Sequence, residues 1–296
     1  MAVSQLFVFA QQIVNGYPIN LSQYSQQISF QCPAATVVYN EWESTVTSRR
    51  NLGFWRNNQT YYAQGAFRIQ KDPKANFHGL GVAMYYDKEG AYLKRSRGYL
   101  LYAYHIKLNN NYSLSGGISL GLMSYQAGNV DYDGGTENAL DANLGFMFYS
   151  NRFFVAANIA QLPQSKLQPI NEITVLTRYY QFLVGKDFPI NENILLKTNI
   201  NSKIYSSQTP DIYCQAGLKW NETLGLYGTY KLQRHAAIMF GIEKIELDGF
   251  QLRSYISYDI PFNGDPRYQA FEITLQCLKP GKTAKNKSVS KKKRKR

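Results

Sequence analysis

The chain has 296 residues, a formal net charge of +13 and a mean hydropathy of −0.38. No window approaches the roughly 18–20 consecutive apolar residues that a transmembrane helix needs, so the sequence excludes a helical membrane protein. The excess charge lies at the end of the chain, because residues 279–296 contain ten Lys and Arg and no acid. The charge is therefore a property of a tail and not of the whole surface.

The N-terminus begins with a short apolar run. Residues 1–10 are predicted to be the remnant of a signal peptide, because Val8, Phe9 and Ala10 before Gln11 resemble a small-residue cleavage site. No Lys or Arg precedes Arg49, so the basic region of a signal peptide is missing, and an ordinary mature terminus is the alternative. Residues 11–35 are predicted to form an N-terminal periplasmic segment.

From residue 36 to residue 278, apolar and polar residues alternate with the period of a strand that has two different environments. Leu114, Ile118 and Leu120, for example, fall on one face, while Ser115 and Ser119 fall on the other. Most of the candidate strands run about 9–13 residues, which suits tilted strands that cross a bilayer. The sequence predicts fourteen strands, at 36–47, 60–70, 77–86, 97–108, 112–125, 140–150, 152–162, 180–188, 193–205, 211–220, 223–232, 236–245, 250–260 and 270–278.

The connections and the aromatic residues indicate a membrane barrel. Tight turns rich in Asn, Asp and Gly alternate with longer loops at 87–96, 126–138 and 163–178, and aromatic residues, 15% of the chain, cluster near strand ends. The predicted fold is all-β: a transmembrane antiparallel β-barrel of the outer-membrane type over residues 36–278, with about fourteen strands and both termini on the short-turn side. An aromatic-rich soluble all-β protein is the alternative.

The polar face of the strands is predicted to line the lumen of this barrel. A lumen of this composition is polar and net basic, and it can accommodate water, an inserted loop or a peptide. The residues singled out as lumen-lining are Lys197, Asn199, Asn201, Lys203, Gln215, Lys219, Arg253 and Glu272.

Several apparent chemical motifs lack the context that their chemistry requires. Ser119 lies in a Gly-x-Ser-x-Gly match, but mid-strand and without a visible histidine partner, so a lipid hydrolase is a remote alternative. Asp131, Asp133 and Glu137 could bind a divalent cation, although their spacing is not that of an EF-hand. The three cysteines are too scattered for a disulfide framework or a zinc site. No catalytic, cofactor or metal site is predicted, and the protein is not expected to be an enzyme.

Residues 279–296 are predicted to be a disordered basic tail in the periplasm, since almost none of them would seek a core. Such a tail can attract an acidic protein surface or a polyanionic envelope component, or it can simply be solvated. After a membrane barrel, nucleic acid is not an expected partner. The candidate partner-binding residues are Lys279, Lys282, Lys285, Lys287, Lys291, Lys292, Lys293, Arg294, Lys295 and Arg296.

Four stretches together resemble the PorP/SprF family, outer-membrane components of the type IX secretion and gliding machinery of Bacteroidetes. No single motif is decisive, but their order and spacing resemble the family from residue 21 to residue 278. The stretches are Ser22-Gln23-Tyr24 with Pro33-Ala34, Gly79-Leu80-Gly81 with Asp87-Lys88-Glu89-Gly90, Tyr102–Leu108 with Leu114-Ser115-Gly116-Gly117, and the last two strands at Ser254–Asp259 and Phe271–Leu275.

The resemblance implies a non-enzymatic outer-membrane protein that binds no cofactor. It would sit beside the secretion apparatus, contact periplasmic ring components, and serve the export or surface attachment of cargo proteins that carry a C-terminal sorting domain. The competing function is an outer-membrane porin or a substrate-specific diffusion channel, in which a basic lumen would select anions.

Overall fold

The computed structural model describes residues 21–69, 76–128, 134–169, 174–206, 209–232, 234–262 and 269–281. Fourteen strands of this part of the chain form one closed antiparallel barrel, and two short strands, β8 and β9, form a separate ladder. The strands are β1 (Asn40–Asn51), β2 (Gln59–Arg68), β3 (Phe77–Glu89), β4 (Leu93–Lys107), β5 (Tyr112–Ala127), β6 (Thr136–Ser150), β7 (Phe153–Ala160), β8 (Lys166–Leu167), β9 (Thr174–Val175), β10 (Tyr179–Pro189), β11 (Ile194–Tyr205), β12 (Asp211–Trp220), β13 (Leu224–Lys231), β14 (His235–Leu247), β15 (Phe250–Pro261) and β16 (Ala270–Pro280).

Each barrel strand pairs with the next barrel strand along the chain, and β1 closes the barrel by pairing with β16. Closure leaves no free edge around the barrel, which is a condition for a sheet that crosses a membrane. Short helical turns are also present: 3-10 turns at Tyr24–Gln26, Pro33–Ala35 and Gly53–Trp55, and one α-helical turn at Ile28–Gln31. Among the described residues, no helix is long and apolar enough to span a bilayer.

Exposure alternates along the strands as the sequence predicts. In β13, the side chain of Leu226 is 58% exposed and that of its neighbour Tyr227 is 2% exposed. The exposed set is mostly apolar, whereas buried Arg, Lys, Glu, Asp and Gln side chains face the interior. Apolar residues outside and polar residues inside is the arrangement of a barrel surrounded by lipid. The predicted fold class and strand number are confirmed.

The two rims of the barrel differ. The short-turn rim carries the turns at 108–111, 151–152, 190–193, 221–223 and 248–249, the longer β2–β3 connection at 69–76, the start of β1 and the end of β16. Asn109 and Asn191 build two of these turns, because each side-chain oxygen accepts hydrogen bonds from the backbone N–H groups two and three residues later. The opposite long-loop rim carries the loops at 52–58, 128–135, 161–178 and 262–269.

Three details differ from the sequence-based expectations. The first strand is Asn40–Asn51 instead of 36–47, and the expected long loop at 87–96 is a three-residue turn between β3 and β4, where Gly90 adopts a φ of 65°. The third difference concerns residues 11–35, which were expected to form a periplasmic segment. The described residues 21–35 of that segment lie inside the barrel.

Candidate functional site

Residues 21–38, which we call the plug, cross the lumen from the long-loop rim to the short-turn rim. The direction follows from the contacts: Ser22 bonds to Asp259 and Glu272 near the long-loop ends of β15 and β16. Thr36, at the other end, accepts a hydrogen bond from His105 near the short-turn end of β4. Because the plug contacts strands all around the barrel on their inner faces, it can lie only inside the lumen.

The end of the plug near the long-loop rim is held by buried charge. The Ser22 backbone N–H donates to Glu272 Oε2 at 2.9 Å, and Ser22 Oγ donates to Asp259 Oδ2 at 2.7 Å. Arg49 bridges the same two carboxylates, with N–O distances of 2.6 Å to Asp259 and 3.2 Å to Glu272. All three charged side chains are at least nine-tenths buried. A buried charge without a partner is costly, so this cluster ties the plug to β1, β15 and β16.

The middle of the plug carries a series of amide and hydroxyl contacts to the wall. Gln27 Nε2 donates to Thr47 Oγ1 at 2.5 Å, and Gln181 Nε2 donates to Gln31 Oε1 at 2.6 Å. Ser29 Oγ donates to Gln64 Oε1 at 3.0 Å. The neutral polar side chains of this segment are thus paired with neutral polar side chains of β1, β2 and β10, as buried polar groups require.

The end of the plug near the short-turn rim is held by close backbone packing. A Cβ atom added to Gly117 would lie 2.5 Å from the Ala34 nitrogen, and one added to Gly79 would lie 2.6 Å from Val37 Cγ2. Ser115 Oγ also donates to the Ala34 carbonyl oxygen at 2.8 Å. Since no side chain would fit at the two glycines, their position on the inner face lets the plug backbone touch the wall.

His105 holds this end of the plug in a defined protonation pattern. Its Nε2 lies 2.9 Å from the Thr36 carbonyl oxygen, which can only accept, so Nε2 carries the proton. Nδ1 lies 2.9 Å from the Tyr149 hydroxyl, and a neutral imidazole accepts there. The histidine therefore works as a fixed structural bridge between β4, β6 and the plug.

Little space remains between the wall and the plug around Phe30 and Gln31. The cavity beside Phe30 and Gln31, lined on the barrel side by Arg97, Tyr99 and Asn158, holds about 30 Å³. That volume suits one or two water molecules and no solute. Above it, the loop that contains β8 and β9 covers part of the long-loop mouth and buries its Leu167 and Leu176 against inward residues of β5 and β6. On this side of the barrel the plug leaves no room for a solute.

The predicted lumen residues lie on the same face of the wall as the plug contacts. Asn201, Lys203, Gln215 and Glu272 are buried, and Lys197, Asn199, Lys219 and Arg253 are half-buried. Several meet the plug: Tyr24 Oη donates to the Asn199 carbonyl oxygen, Ser25 Oγ donates to Gln215 Oε1, and Gln181, which binds Gln31, also binds Asn201. The remaining ones contact the wall itself, as in the 3.5 Å pair between Lys219 and Glu243.

The other candidate residues are dispersed. Lys279 extends β16 and lies 3.3 Å from Glu41, while Lys282 to Arg296 lie outside the described residues, as do Asp131 and Asp133. Ser119 accepts a hydrogen bond from Asn143 and has no histidine partner within the described ranges. No group of three His, Cys, Asp or Glu side chains in that part of the chain is placed to hold a metal ion.

Sequence reasoning did not predict the plug, although three signals point toward it. The stretch Ser22–Tyr24 stands out in the sequence only for its family resemblance, yet its Ser22 provides the polar anchor of the plug, the contacts to Asp259 and Glu272. Gly117 lies between Ser115 and Ser119 on the same face of β5, which faces inward, and a lumen filled by water does not require a glycine there. Gly145 is the matching case on β6, because an added Cβ would lie 2.6 Å from Cys32 Sγ.

The closed barrel, its apolar outer band and its polar plugged interior define an outer-membrane β-barrel protein of a Gram-negative bacterium. The sequence matches the family model of the type IX secretion system membrane protein PorP/SprF over residues 13–277, so the chain belongs to that family. The stretches that carried the resemblance meet at the interface between plug and wall: Ser22 and Gln23 with Ser257, Asp259 and Glu272, and Pro33 and Ala34 with Gly117.

Solved structures show the same architecture at low sequence identity. A FadL homologue from Pseudomonas aeruginosa is 8% identical, with 85% of this chain and 93% of that chain covered and a TM-score of 0.53. A deletion mutant of the monoaromatic hydrocarbon channel TodX is 10% identical, with 84% and 92% covered and a TM-score of 0.50. These likenesses concern the fold alone. No curated protein matches the sequence.

Proposed function

We propose that the protein is a non-enzymatic component of the type IX secretion machinery that works as a closed scaffold in the outer membrane. In this role it contacts periplasmic ring proteins and supports the export or surface attachment of cargo with a C-terminal sorting domain, including cargo used in gliding. The observation that carries the proposal is the plug. A barrel whose lumen is crossed from rim to rim by its own chain offers its rims and its outer wall, and not an open pore, to partners.

The plug also argues against the porin alternative. A general diffusion channel needs a continuous aqueous path, whereas the plug here contacts the wall through buried ion pairs and backbone packing at its two ends. The structural likeness to a hydrocarbon channel favours the alternative only at the level of fold.

Single-channel recording separates the two functions. The purified full-length protein in planar bilayers should give no steady conductance, and it should copurify with other secretion-system proteins after crosslinking in native membranes. Steady, anion-selective openings of the unmodified protein, without copurifying secretion proteins, would support the porin instead.

The basic tail is the proposed periplasmic docking segment. Its charges can attract an acidic partner without contributing to packing, and the attraction should weaken with salt, because screening acts beyond roughly 8–10 Å at physiological ionic strength. Deletion of residues 282–296 should leave the barrel folded in the outer membrane while reducing copurification of periplasmic partners and surface export of cargo. A truncated protein that secretes and copurifies like the intact one would show that the tail is merely solvated.

A further inference from the structure

The outer wall carries a groove that the secretion role does not explain. It is an open depression that crosses β10 to β14 on the lipid-facing side and spans about 530 Å³. Volumes of this size are typical of ligand pockets in proteins. The outside of a barrel is normally convex, so a depression here needs a cause in the sequence.

The cause is a row of small residues on β11 to β13, with a row of large residues on one side and a row that contains large residues on the other. In the barrel register, Thr198, Ala216 and Gly228 lie side by side on β11, β12 and β13. The next outward row toward the short-turn rim is a ridge of Phe188, Leu196, Leu218, Leu226 and Phe240. The next outward row toward the long-loop rim contains Val184, Ile200 and Tyr230, with the smaller Cys214 and Ala236 among them.

One end of the groove carries a charge. Lys186 continues the row of small residues onto β10 and points outward, so it is an ionisable side chain within the apolar band. Its Nζ lies 4.7 Å from the centre of the Phe188 ring, in the direction of the short-turn rim, and no ion pair to it forms within the described residues. A lysine in this position is unfavourable unless it reaches the interface and an anionic partner.

From this combination we propose that the groove binds one phospholipid of the periplasmic leaflet. An acyl chain lies across β11 to β13 over the small residues, and the lipid phosphate contacts Lys186. The short-turn rim faces the periplasm in barrels of this type, so Lys186 lies on the side of the inner leaflet, where phospholipid headgroups are found. In this arrangement the apolar groove holds the acyl chain of the lipid, and the ammonium group of Lys186 at its end binds the phosphate.

The chain offers a matched pair of variants. Gly228 and Gly98 are both exposed on the outer face, and an added Cβ atom would meet nothing within 4 Å at either position. Gly228→Leu fills the groove, while Gly98→Leu adds the same side chain to the smooth wall on β4. Neither change reaches the lumen or the plug.

The test is native mass spectrometry of the full-length protein in mild detergent, with palmitoyl-oleoyl phosphatidylethanolamine as the probe. The unmodified protein and the Gly98→Leu variant should retain one lipid, and Gly228→Leu should lose it. Lys186→Met should weaken binding of this probe about tenfold, as expected for the loss of a hydrogen bond to a charged group. The same variant should bind palmitoyl-oleoyl glycerol, which lacks the phosphate, as the unmodified protein does.

Equal lipid retention by Gly228→Leu and Gly98→Leu would overturn the proposal. So would a dimer mass that Gly228→Leu abolishes, because the groove would then hold a second copy of the chain. Heat-modifiable migration in gels verifies that each variant is a folded barrel before the comparison is made.

Discussion

The two ends of the plug are held by different physical means. Near the long-loop rim, Ser22 joins a buried cluster of Arg49, Asp259 and Glu272, in which every contact is electrostatic. Near the short-turn rim, the backbone around Ala34 and Val37 lies directly on Gly117 and Gly79. The first arrangement depends on the identity of charged atoms. The second depends on the absence of side-chain atoms at two glycines, and Ser115 and His105 add hydrogen bonds to the plug backbone there.

The difference shows how the plug can both select its partners on the barrel wall and pack tightly against that wall. Water can replace a hydrogen bond, so the polar end can exchange its partners if the lumen is wetted. At the other end, the two glycines leave no space for a side chain, so a larger residue there must displace the backbone of the plug. We therefore expect the polar end to be the end that can be released and the glycine end to be the fixed one.

The largest effect is expected from Arg49→Met, which leaves Asp259 and Glu272 buried beside each other without their cation. Removal of one partner of a buried ion pair lowers the free energy of unfolding by about 3–5 kcal/mol. Urea unfolding in detergent micelles measures it. The control is Lys244→Met, which removes the pairs of 3.1 Å with Glu222 and 3.0 Å with Glu246, both on exposed carboxylates, and should change the stability by about 0–1 kcal/mol. Equal effects of the two variants would show that the cluster of Arg49, Asp259 and Glu272 does not stabilise the folded protein.

A smaller effect is expected at the fixed end from Gly117→Val. The added side chain overlaps Ala34, and overpacking of this kind costs about 1–3 kcal/mol. The neighbouring Gly116→Val is the control, because Gly116 faces outward and an added Cβ would lie 3.8 Å from the Phe146 ring, an ordinary contact. Proteolysis of the plug and urea unfolding should both distinguish the two variants. If Gly116→Val is the more harmful, the inward and outward faces of β5 are assigned the wrong way round.

The smallest effect is expected from Ser22→Ala, which removes the hydroxyl that donates to Asp259 and accepts from Arg49, and leaves the backbone contact to Glu272 in place. Because Arg49 and Asp259 stay paired with each other, loss of the hydroxyl costs only about 0.5–1.5 kcal/mol. Hydrogen exchange of the backbone around residues 22–27 should rise while the strands stay protected. Ser48→Ala, on the exposed face of β1, should leave this exchange unchanged. Faster exchange around Ala34 than around Ser22 would reverse the assignment of fixed and releasable ends.

The strands could be predicted from sequence because alternation is a local property. Leu120 and Ser119 are assigned to opposite faces by their immediate neighbours, and the structure agrees. The sequence predicts the start of β1 four residues early because Thr36 to Tyr39 are β-branched and aromatic residues that favour a strand, although Val37 is buried against Gly79 as part of the plug. Local pattern cannot distinguish a strand from an extended segment that packs inside a barrel.

The plug itself depends on contacts that no local pattern contains. Ser22 and Glu272 are separated by 250 positions in the chain, and either residue alone is compatible with a solvated lumen. Lys197 or Asn199 would likewise face inward whether the lumen were filled or empty. The sequence does contain inward-facing glycines. They point to a plug only if each is interpreted as a position where another segment packs closely against the wall.

The polar anchor lies across the place where the barrel closes. Arg49 belongs to the first strand, Glu272 to the last and Asp259 to the one before it, and β1 and β16 are neighbours only in the finished barrel. The binding place for Ser22 therefore does not exist during assembly until the final hairpin has joined the first strand. A chain that ends before Ala270 lacks β16, and therefore both the β1–β16 pairing and the carboxylate of Glu272. Closure of the wall and formation of the complete binding site for Ser22 thus belong to the same step of assembly.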